Sequence, residues 1–346
     1  MISQAGLADC CHVEMLDDSS LDAIYIALPN GLHYEWAVKT IKAGKHVLLE
    51  KPSTSNEKEA ASLFRHEILQ QPNAPIVLEA FHSRFHPAWH TFLSLLDPPN
   101  IATAHAQMSV FRGYLPNDDI RFLYDLSGGA LMDMGSYTVM ALRDMLRAEP
   151  DECIEVVSRL MPEGWDQKCD HATKAKFRFP NGAIGTFYVD LSARGTFGLP
   201  VMQFPNCVAT HREAIVEDSS LAAGQEHVVV KTVKMFNYVI PTFLHRIDII
   251  QEHTIRTIEG KKAIKTWTKK TYRKTYTWED HDGSKQPGED HWTTYRHMLE
   301  QFVDKIKGRE GNGCWMDGED SIRQMAMIDL AYKKLGLPLR PTSTYK

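Results

Sequence analysis

The sequence predicts an α/β fold: a short parallel sheet first, then a mixed, largely antiparallel α+β unit. Three observations predict it. Apolar runs and helical segments alternate between residues 21 and 80, the alternation stops near Phe85, and long segments with partly alternating polarity follow. The expected division is residues 1–85 and 86–346, with the last helix packing back on the first unit.

Residues 22–28 (DAIYIAL) form a nearly continuous apolar run, as in a parallel strand covered on both faces. A helix follows from about Gly31, with Leu32, Trp36, Ala37 and Ile41 on one face and Gly44 as its stop. Residues 46–49 give the next strand, which runs into Glu50-Lys51-Pro52. Thr54 and Glu57 stand at capping-box spacing, so a second helix is expected to start there and reach Gln70. Residues 75–79 (PIVLE) are the third strand.

Beyond the alternation, a helix is expected over 129–146, entered from Gly128-Gly129. Strands over 173–179 and 183–191 flank Asn181-Gly182, a strong hairpin signal. Residues 227–237 and 264–278 read as further strands. Two amphipathic helices over 292–306 and 319–335 finish the chain, the latter stopped by Gly336 and Pro338.

Of the 346 residues, 43% are hydrophobic and 24% charged, an ordinary globular balance at a length suited to two domains. No apolar run approaches the roughly 20 residues of a membrane span. The first residues lack the basic start and apolar centre of a signal peptide, so a soluble cytoplasmic protein is expected. Six cysteines without C-x-x-C or zinc spacing fit reduced thiols, and adjacent Cys10 and Cys11 are poorly placed to bridge each other.

A net charge of −5 argues against a nucleic-acid partner. Residues 261–274 hold seven basic residues interleaved with Trp267 and Tyr272, and read as the wet face of a strand. His82, His86 and His90 recur every four residues, yet Pro87 interrupts them and no acidic residue joins them, so no metal is expected.

The segment from Asp22 to Asn56 carries P-N-x-x-H (Pro29, Asn30, His33) and then Glu50-Lys51-Pro52. With EAFHSRFHP at 79–87, GGALMDMGSY at 128–137 and the tail GEDSIRQMAMIDLAYKKLGLPLRP at 318–341, it resembles the Gfo/Idh/MocA oxidoreductases. The order of these motifs is similar to the branch holding NADP-dependent D-xylose dehydrogenase and dimeric dihydrodiol dehydrogenase. The resemblance implies a Rossmann-like parallel sheet, truncated at its N-terminus. Gly6 is the only glycine in the first twenty residues, and the glycine-rich βαβ of the family is expected to lie upstream of Met1.

Lys51 sits before a proline at the carboxyl end of a parallel strand, where open α/β sheets place ligands. An ammonium there can, once buried, give and take a proton; the bland alternative is a surface lysine paired with Glu50. Asp133 and Tyr137 stand at i and i+4, on one face of the expected helix. The family pattern makes Lys51 and Tyr137 the proton-handling pair, the tyrosine eased toward ionisation by its lysine, and has Asp133 orient substrate hydroxyls. Their alternative roles are a buried cap or ion-pair partner for Asp133 and core packing for Tyr137. The same pattern places the turn of Pro29, Asn30 and His33 along the nicotinamide ribose and counts Glu50, Lys51 and Pro52 among the cofactor-binding residues, and Asn30 could equally cap a helix. Arg84 and Arg121 could reach a sugar hydroxyl or phosphate, or serve as structural ion-pair partners.

The implied activity is hydride transfer between a nicotinamide cofactor, NADP or NAD, and a small-molecule sugar, polyol, cyclic diol or secondary-metabolite carbonyl. The alternative is a catalytically silent relative kept as a binding or structural subunit; a third account is an incomplete reading of a longer gene. The resemblance also implies a homodimer through the open face of the second sheet, whose strands carry Phe177, Phe179, Phe187, Tyr188 and Val189; the alternative is that the sheet's own helices cover them.

Overall fold

The computed structural model describes residues 14–199, 201 and 203–345; Gly6 and the Cys10-Cys11 pair lie outside them. The first sheet is parallel, in the order β1 (Ala23–Ile26), β2 (His46–Glu50), β3 (Val77–Ala80). Helix α1 (His33–Lys42) crosses from β1 to β2 and buries Trp36, Ala37, Val38 and Ile41 against it. Gly44, at φ 75°, ends that crossover in the left-handed conformation glycine tolerates best.

Helix α2 (Glu57–Phe64) follows, shorter than the sequence predicts. Its cap is Asn56, which accepts from the Glu59 amide, while Thr54 is spent on the Asn56 carbonyl. Glu59 reaches back to the Ser55 amide, so the reciprocal capping sits two residues later than Thr54 and Glu57 suggest. The helix stops at Phe64 and a separate 3₁₀ turn covers Glu67–Gln70.

After β3 a 3₁₀ turn (His82–Phe85) leads into α3 (Pro87–Ser94), capped by the His86 ring. The second sheet then runs β12-β11-β10-β8-β4-β7-β6-β5, with β9 (Ala214–Val216) beside β10. Its strands are β4 (Ile101–Phe111), β5 (Glu152–Leu160), β6 (Asp170–Arg178), β7 (Ile184–Ala193), β8 (Gln203–His211), β10 (Gln225–Phe236), β11 (Arg246–Thr257) and β12 (Ala263–Arg273). Only β4 and β7 pair in parallel, so the sheet is mixed and largely antiparallel. Gly182, at φ 77°, turns the expected β6–β7 hairpin.

The strand expected over 264–278 ends at Arg273, because Thr277 and Asp280 form a capping box that starts α5 (Trp278–Asp282). Helix α4 (Ala130–Leu146) lies along one face of β4, β6 and β7. Phe177, Phe179, Phe187 and Val189 are buried in the core it shares with them, so a helix of the same chain covers them and they do not form an open dimer face. Tyr188 points the other way, half-buried. The last helices are α6 (Thr294–Ile306) and α7 (Gly318–Leu335). Helix α7 packs on α2: Asp329 accepts from the Glu57 amide at 3.0 Å, and a Cβ on Gly318 would stand 2.6 Å from Phe64.

The three-histidine stripe does not form, since the chain turns between His82 and α3. His86 and His297 are fully enclosed, their rings 5.2 Å apart. Burial, then the neighbouring histidines, pushes His86 down to about 2; burial, then Arg296, pushes His297 to about 4. An unfolded chain takes protons on these rings near pH 6.5, so it binds more protons than the fold below that pH. Stability held above pH 6.5 is therefore lost as pH falls toward 4. The urea midpoint should drop between pH 7 and pH 5, and His297→Gln should flatten the slope; a midpoint flat over that interval would refute this assignment.

Candidate active site

The carboxyl ends of β1, β2 and β3 meet the N-terminal half of α4. At the end of β1, the fully buried His33 ring lies between two backbone carbonyls that can only accept from it, Leu28 at 2.7 Å and Pro52 at 2.8 Å. It ties the β1 and β2 turns together and has no nitrogen left for a ligand, which corrects its expected contact with a cofactor. Burial lowers its basicity and the two carbonyls oppose that shift. Pro52, joined to Lys51 by a cis bond, is buried in the same knot. Asn30 donates to the Ser127 carbonyl at 3.3 Å rather than capping a helix.

Lys51 emerges from this knot toward α4. Its Nζ lies 2.8 Å from Asp133 Oδ1 and 2.9 Å from the Asp133 carbonyl. The other carboxylate oxygen accepts from Arg121 Nε at 2.7 Å, and Arg121 also grips Asp119. Burial opposes charge on Asp133, yet the Lys51 ammonium and Arg121 guanidinium together hold it ionised, at about 2. Arg121 remains partly open to solvent, at 36% exposure of its side chain. The same ammonium stands 4.7 Å from the centre of the Tyr137 ring.

The structure brings Lys51, Asp133, Tyr137 and Arg121 together, but the surroundings of the tyrosine differ from those the sequence suggests. Burial pushes the Tyr137 hydroxyl well above its ordinary range, and Glu50 and Asp133 add to that. Burial thus favours the neutral phenol, where the sequence reading has its lysine ease the loss of the proton. The Tyr137 oxygen lies 2.7 Å from His82 Nε2, and His82 Nδ1 lies 2.8 Å from the Thr294 hydroxyl. Tyr295 stacks on His82 at 4.1 Å, and Tyr25 donates to Glu50, whose charge Tyr295 also faces.

Arg84 is corrected more sharply. It is buried, forked onto Asp144 and paired with Asp320, which also holds Arg143; burial opposes its charge, but the two carboxylates more than offset that. It takes the structural ion-pair role that the sequence leaves open, with its side chain 7% exposed. The 680 Å³ cleft that Arg84 borders contains none of Lys51, Asp133 or Tyr137, and its arginines and acids largely neutralise one another. Size alone does not make it the site.

The missed residues differ in legibility. His82 follows the carboxyl end of β3 just as Lys51 follows β2, so the rule that selects Lys51 selects it too. Thr294 and Tyr295 arrive from a helix some two hundred residues away, and no local pattern announces them.

Helix α4 is set by its N-terminus. Asp170 accepts from the Leu131 amide at 2.7 Å and is itself held by Tyr332 at 2.7 Å and Arg340 at 3.0 Å. Arg340 also donates to the Gly128 carbonyl at 2.6 Å. Gly129 takes φ 131°, and a Cβ there would lie 2.3 Å from both Arg340 and Asp170. The glycine pair is thus a close-approach site, letting the C-terminal tail clamp the helix that carries Asp133 and Tyr137.

Comparison with known proteins agrees with this architecture. Residues 4–71 match the model of an oxidoreductase family with an NAD-binding Rossmann fold, and residues 100–204 match the Gfo/Idh/MocA C-terminal domain. A D-xylose 1-dehydrogenase (NADP(+)) of Haloferax volcanii is 40% identical over 131 residues, 37% of this chain and 39% of its own length. A dTDP-3,4-didehydro-2,6-dideoxy-α-D-glucose 3-reductase of Actinomadura kijaniata is 34% identical over 136 residues, 39% of this chain and 40% of its own. The matched region spans about half or less of these curated relatives. The crystal structure of a 3-ketoreductase from A. kijaniata, in complex with NADP and TDP-benzene, superposes with a TM-score of 0.63 at 20% identity, over 93% of this chain and 81% of that one. The chain belongs to the Gfo/Idh/MocA family of oxidoreductases.

Proposed function

We propose that the protein is an NADP-dependent oxidoreductase that reduces a carbonyl, or oxidises the matching carbinol, of a sugar, polyol, cyclic diol or related secondary metabolite. One observation carries this reading: Lys51 at the carboxyl end of β2 is ion-paired to Asp133 and stands over the Tyr137 ring. A charged pair beside a neutral buried phenol is a set of groups that can polarise a carbonyl oxygen and then protonate it.

The residues present fit the nicotinamide end of such a cofactor. Pro29, Asn30, Glu50 and Lys51 lie at the ends of β1 and β2, where open parallel sheets bind ligands. When bound, the cofactor supplies or takes up the hydride. Lys51 fixes the Asp133 carboxylate, Tyr137 gives its proton to the substrate oxygen, and Arg121, open on one side, meets neighbouring hydroxyls. The named relatives are dehydrogenases and reductases and lend no support to a silent subunit. A homodimer and a cytoplasmic location are part of the same proposal. Unbonded Cys153, Cys169, Cys207 and Cys314 suit a reducing compartment, and no helix among the described residues is long and apolar enough to cross a membrane.

Calorimetric titration of the purified chain with NADPH tests the reading, followed by NADPH-consumption assays on aldoses, keto sugars and cyclic diols. Binding with a Kd on the order of 1–100 μM, and turnover of one carbonyl class, is expected. No heat of binding on a chain that is folded by circular dichroism would defeat it.

A further inference from the structure

Behind the site lies a buried polar chain that the proposed chemistry does not yet use: Thr294, His82 and Tyr137. Their exposures are 1%, 3% and 6%. The Thr294 hydroxyl approaches Nδ1 at 2.8 Å and the Tyr137 oxygen approaches Nε2 at 2.7 Å. His82 is further held by stacking on Tyr295, 4.1 Å between ring centres.

A neutral imidazole has one N–H and one lone pair, so the chain has two polarities. In one, Tyr137 donates to Nε2 and Nδ1–H donates to Thr294. The threonine hydrogen is then sealed in the core, where among the described residues its hydroxyl has no second partner. In the other, Thr294 donates to Nδ1 and Nε2–H donates to the Tyr137 oxygen. The hydrogen left over is then the phenol's own, on a ring whose centre lies 4.7 Å from the Lys51 ammonium. Each polarity leaves one hydroxyl hydrogen over, and the proposed reaction supplies an acceptor, the substrate oxygen, at Tyr137 and none at Thr294; satisfaction of buried donors then favours the second polarity.

We propose that Thr294 and His82 are positioning residues: Thr294 fixes the Nε2–H tautomer of His82, which turns the Tyr137 hydroxyl hydrogen outward to the substrate oxygen. The inference rests on the reading of Tyr137 as the proton donor in carbonyl reduction. In that step the Tyr137 O–H bond breaks and an O–H bond forms on the substrate oxygen. The carbonyl carbon is reduced by hydride from the reduced nicotinamide, which is oxidised. The phenolate left behind keeps the Nε2–H donor and the Lys51 ammonium, and solvent restores its proton after product leaves. Burial and then Lys51 push His82 down to about 3, so the ring stays neutral at working pH and the tautomer argument applies.

Long-range imidazole nitrogen–proton NMR correlations on the full chain test this directly, with His82→Gln identifying the resonance by its loss. The expected result is a protonated Nε2 and a bare Nδ1 between about pH 5 and 8. In Thr294→Val the two tautomers should mix, and Thr294→Ser should restore the single form. In the NADPH-dependent assay Thr294→Val should lose about tenfold in kcat with KM for the carbonyl unchanged, and Thr294→Ser should recover it. A protonated Nδ1 in the unmodified chain, or a Thr294→Val variant whose tautomer stays fixed, overturns the inference. The NMR result needs no turnover: failure to find a substrate would count against the proposed function, whereas the observed tautomer decides the role of Thr294.

Discussion

Replacing Lys51 by methionine is expected to lower turnover by about 10²–10⁴-fold while the chain stays folded. The ammonium does two things that methionine cannot. It neutralises the Asp133 carboxylate at 2.8 Å, and it places a positive charge 4.7 Å from the Tyr137 ring centre, where, in the proposed reaction, it would steady the phenolate that proton donation leaves. The loss should fall in kcat, with NADPH affinity much less affected, because the stabilised charge develops only as the proton leaves. A second readout needs no cofactor. Asp133 is held at about 2, below its ordinary 3.8, by Lys51 and Arg121 acting against burial. A depressed carboxylate adds stability that is present above pH 3.8 and lost as pH falls through 2. With only Arg121 left to oppose burial, that carboxylate takes up its proton at higher pH, and the acid-unfolding midpoint of Lys51→Met should rise. A variant within threefold of the unmodified kcat, with an unmoved acid midpoint, would remove Lys51 from the chemistry.

The same residues show what a sequence makes legible. Short apolar strands ending at Pro29 and Lys51 define a parallel sheet because burial on both faces leaves no alternation, and its carboxyl ends locate ligands without further information. The i, i+4 spacing of Asp133 and Tyr137 likewise survives folding, since one helix face is a local property. Arg84 fails for a physical reason. An arginine in a crossover motif reads alike whether it meets substrate or the side chains of Asp144 and Asp320, and the second of these lies over two hundred residues away. His33 fails similarly, because its two carbonyl partners belong to backbone, which no side-chain pattern announces. The strands β4, β5, β8 and β11 escape prediction as their faces are only partly buried, so their alternation is blurred.

The largest effect on stability should come from Arg340→Met. Arg340 and Asp170 are paired at 3.0 Å with neither side chain exposed, and Arg340 also donates to the Gly128 carbonyl and to the Tyr332 oxygen. Removing the cation leaves a buried carboxylate with Tyr332, Thr173 and the Leu131 amide as donors but no countercharge. Losing one partner of such a pair costs about 3–5 kcal/mol, far more than the pair itself contributes over an apolar substitute. The damage is directed as well as large. Asp170 caps α4 through Leu131, so a carboxylate that protonates or moves to relieve its isolation releases the helix end two residues before Asp133. Urea unfolding should therefore show a lowered midpoint, and the residual folded enzyme should lose kcat although residue 340 touches none of Lys51, Asp133 or Tyr137. Arg340→Lys should rescue little, since an ammonium cannot span the Gly128 carbonyl and the carboxylate as the planar fork does. Gly129→Ala attacks the same junction from the other side, its Cβ falling 2.3 Å from Arg340 and Asp170. If both variants unfold at the unmodified midpoint, the tail does not clamp α4, and the order of its N-terminus must come from the sheet alone.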